Sequence, residues 1–506
     1  QRWYNKALTI AKRHGAFVGP GIIASVGYTD PGNWVTDLAA GSQFGYKLNF
    51  VILMSGLFGI FLQILAVRMG VVTGDDLARN TRLLLLPDDD GRLRFGSKGV
   101  HNNTPDKLKY RTLRIFTLWA LYFVSEGALI ATEFAELLGS AIALNLLFPG
   151  LPLYGGVLIT CADVMLFLFI YKPQGNFRIF ELLIATLVMI VLACYIALLV
   201  RTKPNWALVF DGYVPSSTLV QPEALYTGIG IIGAVIMPHA MYLGSHFSTI
   251  NRIDRSKNSL RFDMEPEVTE SNTSNNPTSW AQRSFGVLRT YIANHFPSFD
   301  AHLRNRGHRH TRRAEEQATV PALRSDQVQD QTKGLWPVRM TIAEMKTHLP
   351  HAAWDIALSL FFFAITINSA ILVVAGAAFY YGNNRSAQLS DLYDAFELLK
   401  RTLGGAYAIL FAIALLAAGQ SASITCTLAG QIVSEGFIKW RTNPFLRRLV
   451  TRIITMIPSL AIAIGVGRQG LDEALIASQV TLSFALPFVL VPLIAVTSMN
   501  KKMTVE

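Results

Sequence analysis

Long apolar runs constrain this chain more than any other sequence feature. Phe50–Leu65 and Ile179–Val200 run for about 16 to 22 residues with almost no charge, which is the length of a membrane span. The whole chain of 506 residues agrees, because it is 51% apolar and only 16% charged, against about 25% charged in soluble proteins. These properties predict an all-α membrane protein.

Ten membrane spans are predicted from these runs. They cover residues 15–38, 49–71, 113–144, 155–171, 178–200, 224–248, 353–382, 405–427, 449–467 and 474–497. Spans one to six lie within residues 1–248, with the first repeat at 15–200, and spans seven to ten lie within 353–506. Residues 249–352 form a predicted cytoplasmic loop that is polar, charged and disordered. Its composition favours a solvated linker over a regulatory segment on the membrane surface.

Basic residues are distributed unequally between the two sides of these spans. With the N-terminus in the cytoplasm, the inner segments hold 35 Lys and Arg residues and the outer segments hold 7. This is the positive-inside pattern, so the net charge of +11 indicates membrane topology and not nucleic-acid binding. No cleavable signal peptide is visible, and the first span is expected to direct insertion into the plasma membrane or a vacuolar or endosomal membrane.

The sequence also excludes several classes of function. The three cysteines, all inside predicted spans, form no disulfide framework and no thiolate metal site; they are Cys161, Cys194 and Cys426. No nucleophile–base pair or phosphate-binding loop is present. We therefore predict no enzyme activity and no cofactor.

Span one contains a carboxylate and helix breakers inside the membrane. An ionised Asp30 there costs about 2.5–3.5 kcal/mol on insertion scales, so its presence in the span indicates a functional role. Pro31 has no N–H and leaves the carbonyl of Gly27 without its helical partner, and Gly32 loosens the helix further. A helix interrupted here presents a carboxylate, the amide oxygen of Asn33 and a free carbonyl, which are cation ligands.

Span six repeats the interruption at Met237–His239. Pro238 frees the carbonyl of Ala234, one turn from the Met237 sulfur. Because each half would have five spans, the second half is inverted, and a broken helix opens both halves. Either interruption alone is more often a structural kink, but interruptions at matching positions of inverted halves indicate a substrate site.

The ligand types narrow the class of ion. Carboxylate, amide and carbonyl oxygens alone would suit calcium or magnesium. The thioether of Met237 favours iron(II), manganese(II), cobalt(II) or similar ions.

These motifs resemble those of a known family. Asp30–Asn33 and Met237–His239 are similar to the paired signatures of the Nramp (natural resistance-associated macrophage protein) metal transporters. Further similarity lies at Gly74–Ala78, Ala131–Glu136 and Gly419–Phe437. The resemblance runs from about residue 13 to the C-terminus, interrupted by the loop at about 250–350, and it is strongest to fungal members.

The resemblance implies a LeuT-like fold of two inverted five-helix repeats, with spans one and six broken. It also implies symport of a divalent metal, of the manganese or iron class, with protons into the cytoplasm. The metal ligands that it implies are Asp30, Asn33, Met237 and the carbonyl of Ala234, joined in a closed state by Gln479 and the carbonyl of Gly27.

The proton route that the resemblance implies uses Asp30, His239 and the acids of span three, with Arg452 as their partner. Three acids of span three lie within about 80° of one helix face, namely Glu126, Glu133 and Glu136. Such a face suggests a polar path or buried pairing with arginine. A purely structural network of salt bridges is the alternative.

The chain departs from the family pattern at four places. Glu133 stands where the family usually has Asp, Gly244 where it has a second histidine, and Ala485 where it commonly has Gln. The sequence also ends soon after span ten and the pair Lys501-Lys502, whereas members of the family usually have an eleventh or twelfth span.

Two other functions are alternatives. A non-transporting signalling protein on the same membrane domain should have lost its site residues and gained a large soluble domain, and neither feature is seen. A LeuT-like carrier of organic solutes should not bring its own carboxylate to the substrate position, and Asp30 argues against that function.

The predicted topology can be tested at Asn384, which begins an Asn-Arg-Ser sequon on the outer face. We expect glycosylation of Asn384 and none of Asn272 when the protein passes through the secretory pathway. A glycosidase shift assay on Asn384→Gln and Asn272→Gln measures this. Protease accessibility that placed residues 250–350 on the same side as Asn384 would contradict the ten-span topology.

Overall fold

The computed structural model of the protein is built from helices. It describes residues 19–86, 110–170, 177–250, 340–382, 392–439, 444–465 and 468–503, and these ranges contain no strand. All of them belong to one unit, formed by residues 1–259 and 338–506.

The first half of the chain folds into seven helices and the second half into ten. In the first half they are α1 (Pro20–Val26), α2 (Pro31–Phe44), α3 (Asn49–Thr73), α4 (Leu77–Leu85), α5 (Arg111–Leu147), α6 (Leu153–Ile170) and α7 (Phe177–Thr202). Those that follow are α8 (Trp206–Asp211), α9 (Pro222–Val235), α10 (Pro238–Ser248), α11 (Ile342–Ser359), α12 (Thr366–Ala375), α13 (Leu392–Thr402), α14 (Gly405–Ile438), α15 (Pro444–Gly465), α16 (Arg468–Ser498) and α17 (Asn500–Met503). These counts refer to the described ranges, in which a π-helical segment also joins α11 to α12.

The helices match the predicted spans. Seven helical segments of the described chain are long and apolar enough to cross a membrane, and two shorter apolar helices lie at Leu153–Met165 and Leu449–Gly465. Span one is divided between the short helices α1 and α2, and span six between α9 and α10. The prediction of an all-helical membrane protein with spans one and six broken is therefore confirmed.

Several helix ends differ from the predicted spans. Helix α11 begins at Ile342, so residues 342–352 of the predicted loop are helical. Thr341 and Glu344 form a capping box there, since each side chain bonds the backbone N–H of the other residue. The loop from 251 to 339 and the sequon at Asn384 lie outside the described residues.

The family-like segment at Gly419–Phe437 runs past residue 427, the predicted end of span eight. Helix α14 continues to Ile438 and contains the whole segment. Serine, threonine and glutamine side chains lower the hydropathy of this stretch, but they do not break the helix. Several of the hydroxyl groups donate hydrogen bonds to carbonyls three or four residues earlier.

Helix α2 is anchored by a buried tryptophan. The ring of Trp34 lies edge-on to Tyr195 of α7 at 4.9 Å and to Phe411 of α14 at 5.4 Å, measured between ring centroids. On another face, Gly41 packs directly on the backbone of α12, where a Cβ atom would overlap the carbonyl of Leu372. These contacts fix the half-helix that carries Asp30.

The start of α3 also contacts the end of α8, outside the apolar core. Lys47 donates a hydrogen bond of 2.5 Å to the Asp211 carboxylate at the end of α8. This hydrogen bond raises the pKa of Lys47. Phe50 donates its N–H to the carbonyl of Gly212 at 3.0 Å. Because the ion pair is exposed, it contributes little to stability, about 0–1 kcal/mol.

Candidate metal site

The break in span one is built around Asp30. Helix α1 ends at Val26 and α2 begins at Pro31, with Asp30 in an extended conformation as its N-cap. The Asp30 carboxylate accepts hydrogen bonds from the N–H groups of Gly32 and Asn33, both at 3.2 Å. A carboxylate at this position also gains from the positive end of the helix dipole.

The break in span six has the same construction. Helix α9 ends at Val235, and α10 begins at Pro238 with Met237 as its N-cap. Met237 is extended, with ψ near 128°, and its side chain is fully buried. Because Pro238 has no N–H, the carbonyl of Ala234 is left for another donor.

Asn33 joins the two breaks. Its side-chain nitrogen donates to the carbonyl of Ala234 at 3.0 Å and also to the Asp30 carboxylate. All three residues are fully buried. Three of the predicted metal ligands therefore meet at one point, although Ala234 is 201 residues from Asn33 in the chain.

The remaining predicted ligands lie around the same breaks. The amide of Gln479 on α16 lies directly against Gly32, where it would overlap any Cβ atom. Gly27 packs against the ring of His239, and a Cβ atom on Gly27 would be 2.9 Å from the histidine Nε2. Among the described residues, neither ring nitrogen of His239 has a hydrogen-bond partner.

Asn368 is a site residue that the sequence prediction missed. It lies on α12, is fully buried, and donates to the carbonyl of Tyr28 at 2.7 Å and to Oδ1 of Asn33 at 3.5 Å. It therefore satisfies one backbone carbonyl freed by the break and orients the Asn33 amide. The available signal was an amide side chain within the apolar run of span seven.

Gln63 is a second missed residue, on α3. Its side-chain oxygen lies directly against Gly244, so that a Cβ atom at residue 244 would overlap it. Gln63 is fully buried. The space in which the family usually has its second histidine is therefore occupied here by an amide from another helix.

Asp37 is the third missed residue. It lies two turns after Asp30 and on nearly the same face of the helix. It is fully buried, and neither carboxylate oxygen has a hydrogen-bond partner among the described residues. The signal that would have found it is a second acid within span one.

The acids of span three form a separate buried group next to this site. Glu133 accepts a hydrogen bond of 3.4 Å from Thr427 of α14. Arg452 of α15 is fully buried and donates to Ser423. Its charge acts on Glu136, but no ion pair within 4 Å joins it to either acid in the described part of the chain.

Glu126 lies apart from the other two acids. It is half-buried and interacts electrostatically with Tyr242 of α10, whose hydroxyl bonds Ser125 at 2.8 Å. The three acids thus form a face that begins at the buried pair Glu133 and Glu136 and reaches a more accessible position.

The donor set of this site is unusual in its composition. No group of three His, Cys, Asp or Glu side chains that could hold a metal occurs in the described ranges. One carboxylate, one amide, one thioether and a backbone carbonyl form a weaker set of ligands than several thiolates or imidazoles. Such a site suits an ion that must be released.

A helical membrane protein with breaks at matching positions of two inverted halves, each lined by buried ligands, is a secondary transporter. The chain belongs to the Nramp family. The family model, described as "Natural resistance-associated macrophage protein-like", matches residues 21–84, 107–270 and 320–505. The resemblance in the sequence motifs is confirmed.

Curated relatives and solved structures agree with this family. The chain is 37% identical to the manganese transporter pdt1 of Schizosaccharomyces pombe, over 100% of this chain and 79% of the relative. It is 34% identical to the iron transporter SMF3 of Saccharomyces cerevisiae, over 99% and 85%. The manganese transporter of Eremococcus coleocola, a crystal structure, matches with a TM-score of 0.67 and 26% identity, over 98% of this chain and 81% of that one. These relatives are transporters, in agreement with the prediction that the chain is not an enzyme.

The role of Asn368 can be tested by Asn368→Leu. This change leaves the buried carbonyl of Tyr28 without its donor, which costs about 1–3 kcal/mol. We expect a lower unfolding temperature in detergent and weaker manganese binding by calorimetry. Thr366→Val, on the exposed face of the same helix, is the control. Unchanged binding and stability in Asn368→Leu would exclude Asn368 from the site.

Proposed function

We propose that the protein imports divalent transition metals, manganese or iron, into the cytoplasm together with protons. The observation that carries the proposal is the convergence of Asp30, Asn33 and the carbonyl of Ala234 at two facing helix breaks. The relatives named above are manganese and iron transporters. Their names support this class of ion, and the donor set described above supports it independently.

The hydrogen bonds of Asn33 suggest how an ion is held. Its side-chain nitrogen lies between a carboxylate oxygen and a carbonyl oxygen, so its partial positive charge occupies the position that suits a cation. An ion that binds both oxygens replaces these two hydrogen bonds. Rotation of the Asn33 amide then turns its own oxygen toward the ion as a third ligand.

Met237 adds selectivity to these oxygen ligands. Its thioether is buried at the break of span six, three residues after Ala234. Sulfur favours manganese, iron, cobalt and cadmium over calcium and magnesium. Gln479 and the carbonyl of Gly27 complete the proposed ligand set in a closed state.

Membrane potential favours the proposed direction. With the N-terminus in the cytoplasm, α1 lies on the inner side of the site and α2 on the outer side. An ion of charge +2 that enters down the potential gains about 4.6 kcal/mol per 100 mV. Import is therefore favourable for a metal that is scarce outside.

Protons are proposed to move through groups next to the metal. Asp30 must lose its proton when the metal binds, because a protonated carboxyl group is a poor ligand. His239, which lies against Gly27 at the same break, is the proposed acceptor. Glu133 and Glu136 then provide a path inward, with Arg452 stabilising their ionised forms.

Uptake into proteoliposomes is the direct test of this function. Manganese, iron, cadmium, calcium and magnesium are compared, each with and without an inward proton gradient. We expect manganese and iron uptake that the gradient accelerates, with simultaneous acidification of the lumen. Absence of metal uptake, or uptake without acidification, would contradict the proposal.

Met237→Ala tests the thioether. It should weaken manganese and cadmium uptake and improve the tolerance of calcium or magnesium, because a site of oxygens remains. The ratio of cadmium to calcium uptake is the measurement, since cadmium gains most from sulfur. Met241→Ala, also fully buried on α10, is the matched control. An unchanged ratio in Met237→Ala would exclude the sulfur ligand.

Glu133→Gln tests the proton route. Glu133 is not a proposed metal ligand, so the variant should keep most of its metal binding but lose metal-driven proton entry. Asp30→Asn should lose both, and Glu133→Asp should keep both. Parallel measurements of metal uptake and internal pH decide between these outcomes. Normal proton entry in Glu133→Gln would show that the acids of span three are only structural.

A further inference from the structure

The N-terminal end of α1 is held by a carboxylate from a distant helix. The N–H of Gly21, in the first turn of α1, donates to Oδ2 of Asp355 on α11 at 2.7 Å. The two residues are 334 positions apart in the chain, and Asp355 is only 3% exposed. Because water is nearly excluded, this charge-assisted hydrogen bond is stronger than one at the surface.

The contact is also closely fitted. A Cβ atom at residue 21 would lie 2.5 Å from the carbonyl oxygen of Asp355 and 2.7 Å from Oγ of Ser359. Only glycine allows α1 to approach α11 this closely. A second carboxylate, that of Glu181 on α7, lies against Gly19 just before α1. The start of α1 therefore lies between acids from two neighbouring helices.

Helix α1 is short, and it packs on α7, α10 and α11. It has seven residues, and its N-cap, Gly19, provides no side-chain hydrogen bond. The break at Gly27 separates it from α2, so the contacts of α2 with α7, α12 and α14 do not fix it. A small cavity lies beside Pro20 and is lined also by Val67, Gly244 and His348.

We propose that Asp355 is the latch of the inner gate and positions the carbonyl of Gly27 at the metal site. While the carboxylate holds Gly21, α1 stays against α11 and closes the inner side of the site. When the bond breaks, α1 tilts about Gly27, withdraws its carbonyl and opens a path to the cytoplasm. The sidedness of this gate rests on the proposed function. The bond itself does not depend on that function.

Thiol labelling at α1 tests the latch. Ser25 is fully buried on α1, so Ser25→Cys is introduced after Cys161, Cys194 and Cys426 have been replaced by alanine. Modification by a charged maleimide is then timed in the full-length protein with Asp355, Asp355→Asn or Asp355→Leu. Ser459→Cys, fully buried on α15, reports general loosening of the fold.

We expect slow labelling of residue 25 with Asp355 and labelling roughly tenfold faster with Asp355→Leu, which corresponds to about 1.4 kcal/mol in the equilibrium between closed and open forms. Asp355→Asn keeps an acceptor oxygen and should be intermediate. Gly21→Ala should also accelerate labelling, because it separates α1 from α11 without changing the acid. Labelling at residue 459 should not change.

Two results would overturn the latch. One is an equal rate at residue 25 in all three variants, and the other is an equal acceleration at residues 25 and 459, which would show a general loss of packing. Labelling needs no metal, so its outcome is independent of the uptake experiment. A second readout is the Km for manganese uptake, which should rise in Asp355→Leu as the Gly27 carbonyl is withdrawn and rise less in Asp355→Asn.

Discussion

Two prolines create the constraint on which this structure depends. In lipid, a backbone carbonyl without a hydrogen-bond donor costs several kcal/mol. Pro31 and Pro238 each remove such a donor. Side chains from other helices donate hydrogen bonds to carbonyls at the two breaks. Asn33 donates to the carbonyl of Ala234, which Pro238 leaves without its helical donor. At the first break Asn368 donates to the carbonyl of Tyr28, the residue after Gly27.

Packing contacts elsewhere in the fold hold the two helix breaks against each other. Trp34 fixes α2 against spans five and eight, and the glycine at residue 41 allows close packing on span seven. Helix α5 packs along α14, and polar side chains from both meet around Glu133 and Arg452. A buried acid next to a helix break is costly unless such neighbours are rigid, and the long helices provide that rigidity.

Hydropathy and helix-breaking residues were enough to predict the spans, the two interruptions and the meeting of Asp30, Asn33 and Ala234. They were not enough to predict Asn368 or Gln63. Each is a single amide in an apolar run, and its importance arises from a partner on another helix that sequence spacing cannot locate. The predicted ends of α11 and α14 differ from the structure for local reasons. The capping box at Thr341 begins α11 within a segment of polar composition, and hydroxyl groups that bond to their own helix extend α14.

The double hydrogen bond of Asn33 has a consequence for the return half of a carrier's cycle. After the cargo leaves, the same amide nitrogen is able to rejoin the carboxylate of Asp30 and the carbonyl of Ala234. Two oxygens that would otherwise repel each other then share one hydrogen-bond donor. On the proposed function, the buried oxygens of the unloaded site therefore keep a hydrogen-bond donor that belongs to the protein itself.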